Sequence, residues 1–191
     1  LNRVIAWTPQ GIRYESDIRH AESLIEDFNL SDSRGVDTPG IADNKREYDE
    51  EDKYELLPPA SATAYRGAAA KCNYLSLDRP DIQYASKEVS RGMAKPTTAD
   101  LMRLKRLIRY LVKYPRAVFM YTHQYPTDII KVYNDTDWAG CINTRKSTQG
   151  GVVMIGRATI KNWSSTQAII ALSSGEAEFY GIVKGASVGL C

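Results

Sequence analysis

The sequence predicts an α+β fold in two parts: a mainly helical stretch, then a short β-meander closed by a helix. Three observations predict it. Apolar residues recur at helical spacing between 61 and 113. Three strand-like runs, 129–133, 152–155 and 158–163, follow one another with short turn-forming segments between them. Ser173-Ser174 then stands as an N-cap for a last helix from about Gly175 onward.

Bulk properties bound the problem without solving it. A length of 191 residues allows one medium domain or two small ones. With 43% hydrophobic and 25% charged residues the chain has ordinary globular composition, which excludes wholesale disorder. No apolar run approaches the roughly 18 residues of a membrane span, so no membrane association is expected. Cys72, Cys141 and Cys191 are scattered, and His20 and His123 stand alone, so neither a zinc site nor a disulfide scaffold is expected. With no signal peptide at the start, the three Asn-x-Ser/Thr matches at Asn29, Asn134 and Asn162 read as chance, and secretion is not expected.

The elements follow in order. Gly11 to Tyr14 reads as a turn or a short extended piece. Ser16 is a candidate N-cap for an amphipathic helix over 17–28, with Ile18, Ala21, Ile25 and Phe28 on one face. Ser31 to Gly40 has loop chemistry. Residues 43–55 hold seven acids against three bases, the mark of an acidic linker near 41–60. Ala64 to Leu75 is a helix. Asp78 caps a second one carrying Ile82, Ala85, Val89 and Met93, ended by Lys95-Pro96. Thr97 opens a third, with Asp100 as a weak form of the capping box. Its Leu101, Leu104, Leu107, Ile108, Leu111 and Val112 share one half, and Arg103, Lys105, Arg106, Arg109 and Lys113 the other. In the last helix Gly181, Gly185 and Gly189 recur every four residues, a pattern suited to close packing on a sheet.

The small net charge of +2 is therefore a cancellation. An acidic linker offsets nine bases against two acids over 87–116. A basic helical face suits phosphate contacts through counterion release. It is equally what an ordinary solvated helix shows, because Arg and Lys are good helix formers.

The residues that could carry chemistry are Asp135, Asp137 and Glu178. Asp135 ends a β-branched strand, and Glu178 lies in the first turns of a helix. Two-metal phosphoryl chemistry needs carboxylates from separate elements converging on one point. Asp-x-Asp after a strand also occurs as a surface turn, and in metal loops of sugar-nucleotide transferases, though the chain leaves little room for a nucleotide-sugar domain.

The surrounding string is more specific. Val132-Tyr133-Asn134-Asp135-Thr136-Asp137-Trp138-Ala139-Gly140 precedes Thr144-Arg145-Lys146-Ser147-Thr148-Gln149-Gly150. Trp163-Ser164-Ser165-Thr166-Gln167 and Ala171-Leu172-Ser173-Ser174-Gly175-Glu176-Ala177-Glu178-Phe179-Tyr180 follow. This ordered series resembles the ribonuclease H region of copia-type (Pseudoviridae) retrotransposon Pol polyproteins. Upstream, Tyr65-Arg66-Gly67, Tyr74-Leu75-Ser76, Arg79-Pro80-Asp81-Ile82 and Leu107-Ile108-Arg109-Tyr110-Leu111 resemble the segment joining reverse transcriptase to ribonuclease H.

The resemblance implies a ribonuclease-H-like mixed sheet, truncated here, in residues 127–191. A helical connection segment over 1–126 would precede it. It implies hydrolysis of the RNA strand of an RNA–DNA hybrid with Mg2+ or Mn2+. Asp135 then matches the first catalytic carboxylate and Glu178 the helix glutamate, with Asp137 a supporting metal ligand. Arg103, Arg106, Arg109 and Lys113 would contact nucleic acid. Glu176 reads as a solvated or capping carboxylate and Trp163 as a core residue. The implied partners are the hybrid and the rest of the Pol polyprotein, in a cytoplasmic virus-like particle with passage through the nucleus. Asn134, Cys141 and Gly175 depart from the family pattern. The family's third catalytic Asp is expected beyond Cys191, which would leave this chain weak or inactive. A non-catalytic nucleic-acid-binding or structural remnant of a Pol polyprotein is the alternative.

Overall fold

The computed structural model describes residues 2–41, 55–141 and 144–190. Of the acidic linker near 41–60, residues 42–54 lie outside the described residues, as does Cys191. The chain divides into two compact units, residues 1–6 with 13–119, and residues 7–12 with 120–191.

Two strands open the chain: β1 (Val4–Thr8), which the sequence reading does not assign, and β2 (Gly11–Glu15), where it offers a turn or a short extended piece. They form a three-stranded sheet of order β1-β2-β3 with β3 (Val118–Thr122), which the sequence reading also leaves unassigned. Their alternation is weak, because Val4, Ile5, Trp7, Val118 and Met120 are all exposed. With apolar side chains on the open face as well, the period of two is lost.

The first helix, α1 (Arg19–Asp27), begins two residues later than expected and has no side-chain cap. Ser16 is buried instead, while the Asp17 carboxylate accepts from the Arg19 amide and guanidinium. Next comes α2 (Pro59–Ser76), which starts on a proline at its first turn, where a missing N–H costs nothing. Asp78 does not cap the following helix. Its carboxylate accepts from Arg3 at 2.7 Å and Tyr14 at 2.5 Å. The chain passes instead through a 3-10 turn, Pro80–Ile82, into α3 (Gln83–Arg91). In α4 (Thr98–Lys113) the capping box is complete, with Thr97 Oγ1 accepting from the Asp100 amide and Asp100 accepting from the Thr97 amide. Residues 55–57 are tied to the start of α4, with Leu57 N–H donating to Pro96 O and Thr98 N–H to Glu55 O, each at 2.9 Å.

These helices enclose one core of Leu24, Tyr65, Cys72, Leu75, Ile82, Val89, Leu104, Leu107, Ile108 and Leu111. Burial pushes the Cys72 thiol up to about 12, so it packs as a small hydrophobe. One cation shares this interior. Arg79, 1% exposed, donates through Nε and Nη2 to Asp81 and through Nη1 and Nη2 to the carbonyls of Pro115 and Tyr114.

The second unit holds β4 (Ile130–Thr136), β5 (Thr148–Ile155) and β6 (Ala158–Thr166), then α5 (Ser174–Leu190). The three strands pair in the order β4-β5-β6, antiparallel throughout, so the expected mixed sheet is a plain antiparallel meander here. Among the described residues β4 pairs with β5 alone. Its Val132, Asn134 and Thr136 turn to α5, which lies on them through Gly181, Gly185 and Gly189. A Cβ on Gly181 would stand 2.7 Å from Thr136 Cγ2, and one on Gly189 2.7 Å from Val132 Cγ2, so the glycine repeat sets how close helix and strand approach. Trp163 fills the same face of the sheet over Gly151, where no side chain fits. Among the described residues no helix is long and apolar enough to cross a membrane.

Candidate active-site region at the end of strand β4

Asp135 is the next-to-last residue of β4, paired with Gly150 of β5, and its side chain is exposed. By the alternation of a strand it faces away from the side that α5 covers. Glu178 is half-buried in the second turn of α5, one turn before Gly181, which rests on Thr136 and Asn134. Both carboxylates thus belong to the same end of β4, delivered by separate elements. No hydrogen bond joins them.

Asp137 has a different job. Its amide donates to Thr148 O at 3.0 Å, and its carboxylate accepts from the Thr148 amide. It extends the β4–β5 ladder by one pair beyond the last strand residue. Other residues of the motif also knit the loop. Trp138 Nε1 donates to Ala171 O at 3.1 Å, bridging to the segment before α5. The Ala139 amide donates to the fully buried Ser147 hydroxyl at 3.0 Å. Ser147 O accepts from the Gln167 amide, and the Gln167 side chain donates to Ala177 O in α5, each at 2.8 Å. The Asp-x-Asp-Trp, Lys-Ser and Ser-Thr-Gln blocks therefore converge on one hydrogen-bonded frame. The spacing of the blocks marks it as a unit, but only the fold shows that backbone groups are its targets.

Glu176 caps α5. Ser173 Oγ accepts from its amide at 3.1 Å, its Oε2 accepts from the Leu172 amide at 2.7 Å, and Tyr180 donates to Oε1 at 3.1 Å. That hydrogen bond to a carboxylate raises the Tyr180 phenol above its ordinary range. The departure at Gly175 leaves this cap intact. Among the described residues, no group of three or more His, Cys, Asp or Glu could hold a metal ion.

The basic residues of α4 lie in the first unit, and Arg103, Arg106, Arg109 and Lys113 each have a partner within it, while the Nε atoms of Arg103 and Arg106 are buried without one. Arg103 pairs with Asp100 at 2.7 Å, Arg106 donates to Thr38 Oγ1 at 2.8 Å and Arg109 to Arg34 O at 2.8 Å. Lys113 pairs with Asp37, which lowers that carboxyl and raises the ammonium. Residues 34–38 thus run along the stripe that the sequence alone presents as bare.

No family model matches the chain, and no solved structure matches it. Among curated proteins, the uncharacterized mitochondrial protein AtMg00810 of Arabidopsis thaliana is 32% identical over 178 residues, covering 90% of this chain and 68% of that protein. The retrovirus-related Pol polyprotein from transposon RE1 of the same plant is 33% identical over 180 residues, 94% of this chain. That from transposon TNT 1-94 of Nicotiana tabacum is 29% identical over 171 residues, 86% of this chain. The chain spans 12% of the length of each of these two polyproteins. Similarity of this extent, running through both units, means that the chain belongs to the same family as the mitochondrial protein AtMg00810 and is related in sequence to a segment of retrovirus-related Pol polyproteins.

Proposed function

We propose that the chain is the part of a Pol polyprotein that connects reverse transcriptase to ribonuclease H. Its second unit supplies the opening strands and first helix of the ribonuclease-H-like fold, acting on the RNA strand of an RNA–DNA hybrid. One observation carries the reading: Asp135 and Glu178, from different elements, stand at one end of β4. The ordered motif blocks support it by building the frame around that end. The rest of the polyprotein and the hybrid are the partners, in the cytoplasmic setting of such a particle.

The divalent cation of this chemistry would be Mg2+ or Mn2+, and Asp135 and Glu178 are the carboxylates this chain would offer it, from opposite faces of the sheet. Two cations need several carboxylates on one point. Among the described residues no three-ligand cluster exists, and Asp137 is committed to Thr148. The residues present do not fit a complete two-cation centre. This chain on its own is therefore a weak or inactive hydrolase. Binding without cleavage is the second reading, and it requires Arg103, Arg106, Arg109 and Lys113 of α4 to exchange their partners within the chain for phosphates.

The test is cleavage of a labelled RNA–DNA hybrid by this chain with and without Mg2+, alongside binding at several salt concentrations. The expected result is little or no cleavage, with hybrid binding that weakens steeply as salt rises. Robust Mg2+-dependent turnover abolished by Asp135→Asn would overturn the inactivity. Absence of hybrid binding at low salt would reject both readings.

A further inference from the structure

We propose that a hollow beside the β5–β6 turn holds one nucleotide of a single-stranded nucleic acid, its base stacked on Tyr125 and its phosphate on Arg157. The hollow has a volume of about 490 Å³ and is lined by His123, Gln124, Tyr125 and Arg157, all in the second unit. Local structure builds it. Ile155 pairs with Ala158, so Gly156 and Arg157 form a two-residue hairpin turn, with Gly156 at φ +59°. The Gln124 side chain clamps that turn. Its Nε2 donates to Ile155 O at 2.9 Å, and its Oε1 accepts from the Arg157 amide at 2.7 Å. A Cβ on Gly156 would overlap Gln124 Oε1, so both the backbone angle and the clamp call for glycine there. The His123 amide donates to Gln10 O at 3.0 Å, which anchors the segment just before the clamp.

The clamp uses up the Gln124 amide, so the hollow offers a ligand one guanidinium, one imidazole and one phenol ring. None of these three side chains has a hydrogen bond or ion pair among the described residues, and no carboxylate lines the hollow. A guanidinium carries donors and no acceptor, so it selects an anion, and its planar fork fits a phosphate. An exposed aromatic ring selects a planar partner, and every base has a face that stacks on one. Phosphate and planar ring together make a nucleotide. Tyr125 is 94% exposed, so it covers one face of a base and cannot enclose a free nucleotide, whose site would bury most of it. The affinity then has to come from a strand, whose neighbouring phosphates add to the contact. A duplex is unsuited, because its bases are already stacked and paired. Ile130 pairs with Ile155 and Asp135 with Gly150, so the hollow lies at the opposite end of the β4–β5 ladder from Asp135, roughly 17 Å away at about 3.4 Å per residue.

The test is fluorescence anisotropy of a labelled oligothymidylate of twelve nucleotides, titrated with the 191-residue chain at low salt and without divalent metal. Saturable binding is expected, and Tyr125→Ala and Arg157→Ala should each weaken it at least about fivefold. Tyr125→Phe keeps the ring and should bind as the wild-type chain does. Both positions are exposed, and circular dichroism should show every variant folded. Thymidine 5′-monophosphate should compete at least about tenfold more weakly than the unlabelled strand. Absence of strand binding overturns the proposal. So does a strand affinity indifferent to Tyr125→Ala or to Arg157→Ala in folded variants, or a Tyr125→Phe variant that loses as much as Tyr125→Ala. Equal competition by the monophosphate would make this a free-nucleotide site, and equal competition by an oligoglutamate of the same charge a general polyanion site; either result also overturns it. None of these outcomes bears on hybrid cleavage, because Asp135 and Glu178 are untouched and no metal is present.

Discussion

Arg79 shows how a single residue can decide the stability of a unit. A buried guanidinium is tolerable only if its donors find partners, and here a bidentate carboxylate and two backbone carbonyls supply them. Asp81 feels the same balance. Burial works to raise its carboxyl, but the hydrogen bond and charge of Arg79 outweigh it and hold the group below its ordinary range. Arg79→Met should cost roughly 3–5 kcal/mol, because it strands Asp81 and frees two carbonyls. Arg79→Lys should recover only part of that, since an ammonium cannot span carboxylate and carbonyls in one plane. Urea unfolding monitored by circular dichroism checks both, and equal stability of Arg79→Met and wild type would refute the account. The two aspartates of the motif separate in the same experiment. Asp137→Ala should lose about 0.5–1.5 kcal/mol with the hydrogen bond that its carboxylate accepts from the Thr148 amide. Asp135→Ala, on an exposed side chain, should stay within about 0.5 kcal/mol of wild type.

At the scale of elements, legibility in the sequence follows the strength of local signals. α4 was readable from both its cap and its stripe, and the structure shows the capping box complete rather than weak. Thr97→Ala should therefore cost about 0.5–2 kcal/mol, read as a lower unfolding midpoint with an unchanged slope. The meander was readable because turn residues separate its β-branched runs, and the glycine repeat of α5 did mark close packing on a sheet. Asp78 as a cap was not to be had from sequence. Its carboxylate serves Arg3 and Tyr14, more than 60 residues away in the chain, and long-range partners leave no local trace. β1 and β3 escaped for a related reason, since exposed apolar side chains blur the alternation that announces a strand. The basic stripe of α4 looked bare for want of knowing that residues 34–38 return to it. At the end of β4 the sequence singles out Asp135, Asp137 and Glu178 as a set, but it does not separate Asp135 from Asp137, which differ by hydrogen bonds that only the folded loop makes. Gly181→Val tests the packing of α5 directly. Its side chain would strike Thr136, and a loss of about 1–3 kcal/mol is expected, with wild-type stability counting against the close approach.

For the molecule as a whole, the net charge of +2 conceals a first unit held by many opposite-charge pairs. The hydrogen bond from Arg116 lowers the Glu15 carboxyl, that from Lys71 lowers Asp27, and that from Lys113 lowers Asp37. For Glu88 burial pushes upward, and its bonds to Lys87 and Arg91 more than offset it. In each case the folded chain binds a proton less readily than the unfolded chain. Each group therefore contributes stability that is fully present above the ordinary carboxylate range, roughly pH 4, and is lost as pH falls through the lower folded value. The sign follows from proton counting: on the acid side the unfolded chain takes up protons first, so acid favours unfolding. The melting temperature should be nearly level between pH 7 and 5 and fall progressively from about pH 4 downward. Substitution isolates the cause. Glu15→Gln with Arg116→Gln removes one pair, so its acid-induced drop should be shallower than that of the wild-type chain, even if it melts lower at pH 7. Added salt should narrow the difference, because Arg116 is 57% exposed and its attraction to Glu15 is screened. A melting temperature that holds or rises between pH 5 and 3 would show that these pairs contribute nothing to the fold.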